Sequence, residues 1–132
     1  RLMFTLIIDF ALALVAALMI VKGHYGITRQ FAAVPLVVAL VERYYPLFAA
    51  RGVPYPKAIR VKVMTTRHGS CSSAKGYLNF SSRLCEYPVA FIEYVVVHEL
   101  CHFLEANHSD KFWREVARVL PDWEARERLG KK

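Results

Sequence analysis

The chain opens on a long apolar stretch and then changes its hydrophobic period several times. From Leu2 to Val21, 18 of 20 residues are apolar, with Thr5 and Asp9 as the exceptions. A run of that length is sufficient for a helix to span a bilayer. Arg1 and Lys22 flank it, and Lys22, His24 and Arg29 favour a cytoplasmic C-terminal side. Asp9 opposes a span, because a carboxylate within hydrocarbon is costly. The competing reading is a helix, or two strands, buried in a small core. No small-residue cleavage site precedes a polar start, so the run does not resemble a cleaved leader. Residues 1–30 therefore read as an apolar N-terminal segment, membrane-inserted or buried, and residues 31–132 as one domain.

Beyond it, Phe31, Val34, Val38, Val41 and Tyr45 fall near a 3.6-residue period and predict a helix from Phe31 to Arg51. Pro35 falls in its first turn, where proline is tolerated. Gly52 is a stop, and Pro54 and Pro56 make a rigid connector. The period then becomes two: Ile59, Val61 and Val63 alternate with Arg60 and Lys62, which predicts a half-buried strand over Ile59–Thr65. His68–Gly76 reads as a Gly/Ser-rich turn and Tyr77–Phe80 as a second strand. Pro88 opens a helix running to about Ala106. Ser109 can cap a last helix with Asp110 in its first turn. Phe112, Trp113, Val116 and Leu120 form its buried side, Pro121 ends it, and the Lys131–Lys132 tail is expected to fray.

Composition narrows the class. A chain of 132 residues fits a single domain. A hydrophobic content of 55% excludes wholesale disorder. Glycine and proline show no collagen-like period, and no repeat of 20 to 50 residues is present. Cys71, Cys85 and Cys101 are odd in number and contain no C-x-x-C, which argues against a disulfide framework and for a reducing, cytoplasmic setting. The net charge of +7 is concentrated. Residues 43–83 hold eight basic side chains (Arg43, Arg51, Lys57, Arg60, Lys62, Arg67, Lys75, Arg83) and no acid. Such a block suggests an anionic partner or substrate; the plainer reading is a solvated face. Aromatic residues are not interleaved with it as a nucleic-acid stacking platform requires.

The chemistry concentrates in His98-Glu99-Leu100-Cys101-His102. On a helix, positions i and i+4 share one face, so the two imidazoles can bind one zinc ion. Glu99 is rotated by about 100° from His98, an offset that aims its carboxylate at the attacking water instead of the metal. The preceding Tyr94-Val95-Val96-Val97 is apolar enough to bury the helix beneath the site. A catalytic zinc takes three protein ligands and keeps one position open. His108, six residues after His102, is the best third ligand, with Asn107 able to take a left-handed turn that brings the chain back. The H-E-x-x-H-x(5)-H spacing resembles that of the metzincins, but Glu105 stands where their glycine is and no Met-turn follows. Glu105 falls on the metal face, as an acceptor that orients an imidazole N–H or as a fourth ligand. His24 lacks ligand spacing. His68 can line the cleft, a surface role being the plainer reading. Cys101 should point into the core, and Cys71 is read as a packed or exposed thiol.

These residues resemble the YgjP-like metallopeptidase family, itself similar to the SprT and WLM zinc proteases. Arg67-His68-Gly69-Ser70-Cys71-Ser72 resembles its R-W-G-S-C-S loop, with His68 in place of Trp. Gly76–Leu84 follows its next strand, with Ser81 at a usual Asn. Tyr94–His102 matches its Y-V-V-x-H-E-L-x-H helix, and Glu105-Ala106-Asn107-His108-Ser109 matches E-x-N-H-S. Phe112-Trp113 and Leu120-Pro121-Asp122 match its last helix. The likeness covers roughly 58–128 and not 1–30. It implies an α+β, zincin-like domain in which a short β-sheet packs on an HExxH active-site helix with flanking helices. It also implies His98, His102 and His108 as zinc ligands and Glu99 as catalytic base.

The activity expected first is zinc-dependent peptide hydrolysis, with the Tyr77–Ser81 strand pairing with an extended peptide. Arg83, His68 and Tyr77 are the candidates for stabilising the oxyanion. The alternative is phosphoanhydride hydrolysis of a nucleoside triphosphate such as UTP, which the family resemblance and the basic block suggest, although no Walker-type glycine loop is present. A third class is a non-catalytic, zinc-stabilised binding module.

Overall fold

The computed structural model describes residues 27–131 together with positions 3, 6, 7, 9, 10 and 14, which are helical. The reading of residues 2–21 as a membrane or core segment lies largely outside the described residues. Among those described, no helix is long and apolar enough to cross a membrane. Asp9 pairs with Arg43.

Helix α1 covers Ile27–Ala49. It starts four residues before the expected Phe31, so Pro35 stands in its interior and not its first turn. Nearly every position here is apolar, so the sequence offers several 3.6-residue stripes. The one buried runs through Ala33, Leu36, Val37, Leu40, Val41 and Phe48, whereas Val34, expected inside, is 43% exposed. Packing against the segment Ser82–Glu86 and the site helix selects the stripe. The stop at Gly52 is as expected. Its φ of 82° lets the Gly52 N–H reach the Ala49 carbonyl at 3.0 Å and the Val53 N–H reach that of Phe48 at 3.1 Å.

Strand β1 is Ala58–Lys62, β2 is Gly69–Ser72 and β3 is Tyr77–Ser81. The sheet order is β1-β3-β2, with β3 parallel to β1 and antiparallel to β2. Three expectations change. Strand β1 ends at Lys62 and not at Thr65, and Val63, expected on its buried face, is 75% exposed. The stretch His68–Gly76 is not only a turn: its first half is β2, paired Gly69↔Phe80 through Ser72↔Tyr77. And β3 is the central strand, with both edges occupied, so it cannot receive a peptide. A 3-10 turn over Ser82–Glu86 leads to helix α2, Val89–Cys101. Helix α3 is Asp110–Val119, and a short helix α4, Trp123–Arg128, follows where the sequence showed only the end of α3.

The core lies between α1, the sheet and α2, with Phe48, Phe80, Phe112, Leu40, Ile92 and Val96 fully buried. Arg51 at the end of α1 holds Glu115 of α3 through two bonds of 2.8 and 2.9 Å. Glu93 of α2 accepts from Tyr44 of α1 and lies 3.5 Å from Arg126 of α4. Phe48 sits far from the cleft residues in sequence and role, so it tests the core alone. Replacement of Phe48 by alanine is expected to cost about 3–5 kcal/mol, read as a lower midpoint in urea unfolding of the full chain.

Candidate metal centre and cleft

Helix α2 places the site because its apolar side is fully engaged. Tyr94, Val95, Val96 and Val97 are buried, and Leu100 and Cys101 have no exposure. That orientation leaves His98 and His102 on the remaining side, one turn apart. The helix ends at Cys101 and not near Ala106: the Leu104 and Glu105 N–H groups both reach the Cys101 carbonyl at 2.9 Å, closing a tight turn. No non-glycine residue among those described has a positive φ, so Asn107 does not adopt the left-handed conformation expected of it. The chain returns instead through turns and enters α3 at Ser109, whose hydroxyl accepts from the Phe112 N–H at 3.5 Å. His108 is held one residue before that cap.

The three imidazoles meet. Their ring centroids are 5.1, 5.0 and 4.8 Å apart for His98–His102, His98–His108 and His102–His108. One nitrogen from each lies within 4.8 Å of the others, and the His98 and His108 Nε2 atoms are 3.0 Å apart. A tetrahedral ion bound at about 2.0–2.1 Å sets its ligand nitrogens roughly 3.3 Å apart, so the trio fits a divalent cation. Fully buried Phe112 lies beneath all three rings, at 4.9, 4.6 and 4.9 Å from His98, His102 and His108.

The outer nitrogens are also placed. His102 Nδ1 is 3.1 Å from the Glu105 main-chain carbonyl, which assigns its proton to Nδ1 and frees Nε2. The acceptor is the Glu105 backbone and not the carboxylate expected on the metal face, which among the described residues is not part of the metal-holding cluster. His98 Nδ1 faces the Tyr94 hydroxyl at 3.4 Å. Burial, with His102 and His108 adding, pushes the His98 imidazole down to about 3. His98 is therefore neutral near pH 7, the form that binds a cation.

Glu99 is 6% exposed and lies against β2. A Cβ on Gly69 would stand 3.1 Å from Glu99 Cγ and 3.1 Å from the Asn79 carbonyl oxygen, so the strand approaches the carboxylate as closely as glycine allows. Burial pushes the Glu99 carboxyl up to about 7, with the Arg67 guanidinium opposing. Both lie on the wall of a cavity of about 690 Å³. It joins the imidazoles to His68, Cys71, Tyr94 and Phe91, with Glu127 and Lys131 at its C-terminal rim.

His98, Glu99, His102 and His108 are thus brought together. His68 lines the cleft and contacts Tyr87 and Phe91 edge-on at 5.0 Å, correcting its reading as a surface residue. Tyr77 and Arg83 are not on the cavity wall: the Arg60 guanidinium covers the Tyr77 ring at 4.2 Å, and Arg83 lies 3.8 Å from Glu86. Burial and the nearby Glu99 push the Cys71 thiol up to about 12, which holds it as the protonated thiol near pH 7. Arg67, Tyr94 and Glu127 were missed. Tyr94 carried a signal, since it precedes His98 by four residues and so shares its face. Glu127 carried none, because its helix was unforeseen.

A three-stranded sheet over a helix that bears the first two of three clustered imidazoles is the arrangement of zincin-like metallopeptidases. The fold is similar to the crystal structure of the metallopeptidase zymogen abylysin of Pyrococcus abyssi, with a TM-score of 0.60 and 24% identity over 70% of this chain and 89% of that one. The family model for the YgjP-like metallopeptidase domain matches residues 30–131, and the chain belongs to that family. No curated protein matches it significantly. Membership carries metal-dependent peptidase activity at the level of the family, and with it a divalent metal.

Replacement of His102 by alanine should abolish stoichiometric metal in the purified protein, read by elemental analysis. Saturating zinc at about 100 times its dissociation constant stabilises a binding-competent fold by about 2.7 kcal/mol. The wild type should show that upward shift in melting temperature and the His102→Ala variant should not.

Proposed function

We propose that this protein is a zinc peptidase in which His98, His102 and His108 bind the ion and Glu99 is the general base. The observation that carries the reading is the convergence of three imidazoles beside one buried carboxylate on the wall of one cavity. Three imidazoles opening onto one cavity suit zinc better than iron or copper. When bound, zinc supplies Lewis acidity towards the scissile carbonyl and acidity to the attacking water.

Glu99 then takes the proton from the water and returns it to the leaving amine. A carboxyl whose pKa lies near 7 is matched to both transfers. Arg67 limits that rise and keeps the base form available. Apolar Phe91 and Val95 on the cavity wall exclude water around the reacting groups.

The substrate strand expected at β3 belongs at β2. This strand ends the sheet order, and Gly69, Ser70 and Cys71 line the cavity. Extended peptide pairing along the free side of β2 carries a scissile bond past Glu99. Of the eight basic residues in 43–83, Arg67 is the one on the cavity wall. Gly69-Ser70-Cys71-Ser72 is a strand and not a phosphate-cradling loop, which favours peptide over UTP. The three free thiols suit the reducing compartment in which we place the catalytic domain.

Casein and UTP offered to the zinc-loaded protein should separate the two substrates, with casein cleaved. Replacing Glu99 by glutamine should retain zinc and lower turnover by about 10²–10⁴; undiminished turnover removes Glu99 from the mechanism. Gly69→Ala is expected to bind zinc normally and lose kcat, because the new methyl displaces the carboxylate while the Asn79 carbonyl cannot yield.

A further inference from the structure

His108 is the exposed member of the imidazole trio and sits on a connecting segment, so it has the least to hold it in place. The Trp113 indole of α3 covers it at 5.8 Å between ring centroids, with the planes 24° apart. On its other side Trp113 stacks on Trp123 of α4 at 4.5 Å and 21°. Trp123 continues to Tyr94 of α2 at 6.4 Å and 17°. Tyr94 closes the path, its hydroxyl 3.4 Å from His98 Nδ1. Two of the three imidazoles are therefore joined at the back by a continuous row of rings, and the middle ring belongs to the C-terminal helix.

We propose that Tyr94, Trp113 and Trp123 are positioning residues that hold His98 and His108 in register for the cation, so that helix α4 sets the affinity of a site to which it contributes no ligand. The proposal rests on the reading of the three histidines as a metal site and concerns what holds them there. His98 Nε2 faces His108; with a cation held there the His98 proton would sit on Nδ1, where the Tyr94 oxygen stands to accept it. That bond would fix both the tautomer and the ring angle of His98. Broad indole faces remove the freedom of His108 to swing into solvent, which is the ordering cost that cation binding otherwise carries. Helix α4 can serve as the support because it is itself clamped to α2. Arg126 reaches Asp122 at 2.9 Å, Glu93 at 3.5 Å and the Ala90 carbonyl at 3.4 Å.

The test is a titration of the full chain with zinc in competition with a chromophoric chelator, for the wild type, Tyr94→Phe, Trp123→Ala and Trp123→Phe. Tyr94→Phe keeps the ring and removes the hydroxyl. It should melt like the wild type without metal and bind zinc about tenfold more weakly. Trp123→Ala should also weaken binding and shift the visible bands of the cobalt(II) form, while Trp123→Phe, which restores a ring, should recover most of the affinity. Wild-type affinity in both Tyr94→Phe and Trp123→Ala overturns the proposal, as does a loss in Trp123→Phe equal to that in Trp123→Ala. Where Trp123→Ala does not fold, Tyr94→Phe decides alone, and wild-type affinity there overturns it. A wild type that binds no zinc sinks the metal-site reading together with this one, a result distinct from tight binding that the variants leave unchanged.

Discussion

The site depends on helix α2 being unable to turn about its own axis. Nine of its thirteen residues are buried, a burden far beyond the single stripe of an ordinary surface helix. Rotation by one position, about 100°, would carry a valine into the cleft and an imidazole into the core. Sliding is opposed as well, because α1, α3, α4 and β2 all pack against it. With the axis and phase fixed, the direction of the His98 and His102 side chains follows without further specification. Everything else at the site is arranged around two rings that cannot move far.

The same burial sets the electrostatics. A carboxylate and an imidazole respond oppositely to loss of water: the acid is pushed up and the base pushed down, because both favour their neutral forms. Glu99 and His98 are adjacent on one buried helix and show both directions. Desolvation thereby sets a carboxyl of near-neutral pKa next to an unprotonated imidazole. Arg67 then acts on Glu99 from the start of the β2 segment and offsets part of the rise. Removing water from the site thus sets the protonation of both groups.

The parts of this arrangement that could be read from the sequence are those governed by local spacing. His98, Glu99 and His102 are placed by the helical repeat alone, and His108 by a short count along the chain and the Ser109 cap that follows it. The α+β class and strand β1 were legible because alternation survives burial on one face, as in the half-buried Ile59 and Val61 against exposed Arg60 and Lys62. What was not legible is what depends on distant partners. Gly69-Ser70-Cys71-Ser72 has no strand propensity to speak of, and it is a strand because β3 offers it an edge. The choice among the stripes of α1 was made by the surfaces it meets, since an almost wholly apolar helix carries no phase information of its own. Helix α4 is six residues long, and its place is set by ring stacking and by Arg126. Tyr77 and Arg83 lie at either end of the strand expected along the cleft, yet neither is on the cavity wall, Tyr77 lying under Arg60 and Arg83 beside Glu86.

The composition of β2 follows from two demands that meet on one strand. Its edge towards β3 must hold the sheet together, and its N-terminal end must come within van der Waals reach of Glu99. A strand built from the usual branched and aromatic residues would strain the second demand, because a Cβ at Gly69 would stand 3.1 Å from both the Glu99 stem and the Asn79 carbonyl, closer than ordinary contact. Small residues weaken the strand, and the loss is offset by its position: four consecutive pairings with β3, whose last four residues are buried, hold it without help from propensity. The outward edge of such a strand presents backbone groups with little side-chain obstruction beside the reactive carboxylate. Close approach therefore explains why a segment with no turn-type glycine geometry at Gly69 nevertheless carries glycine there.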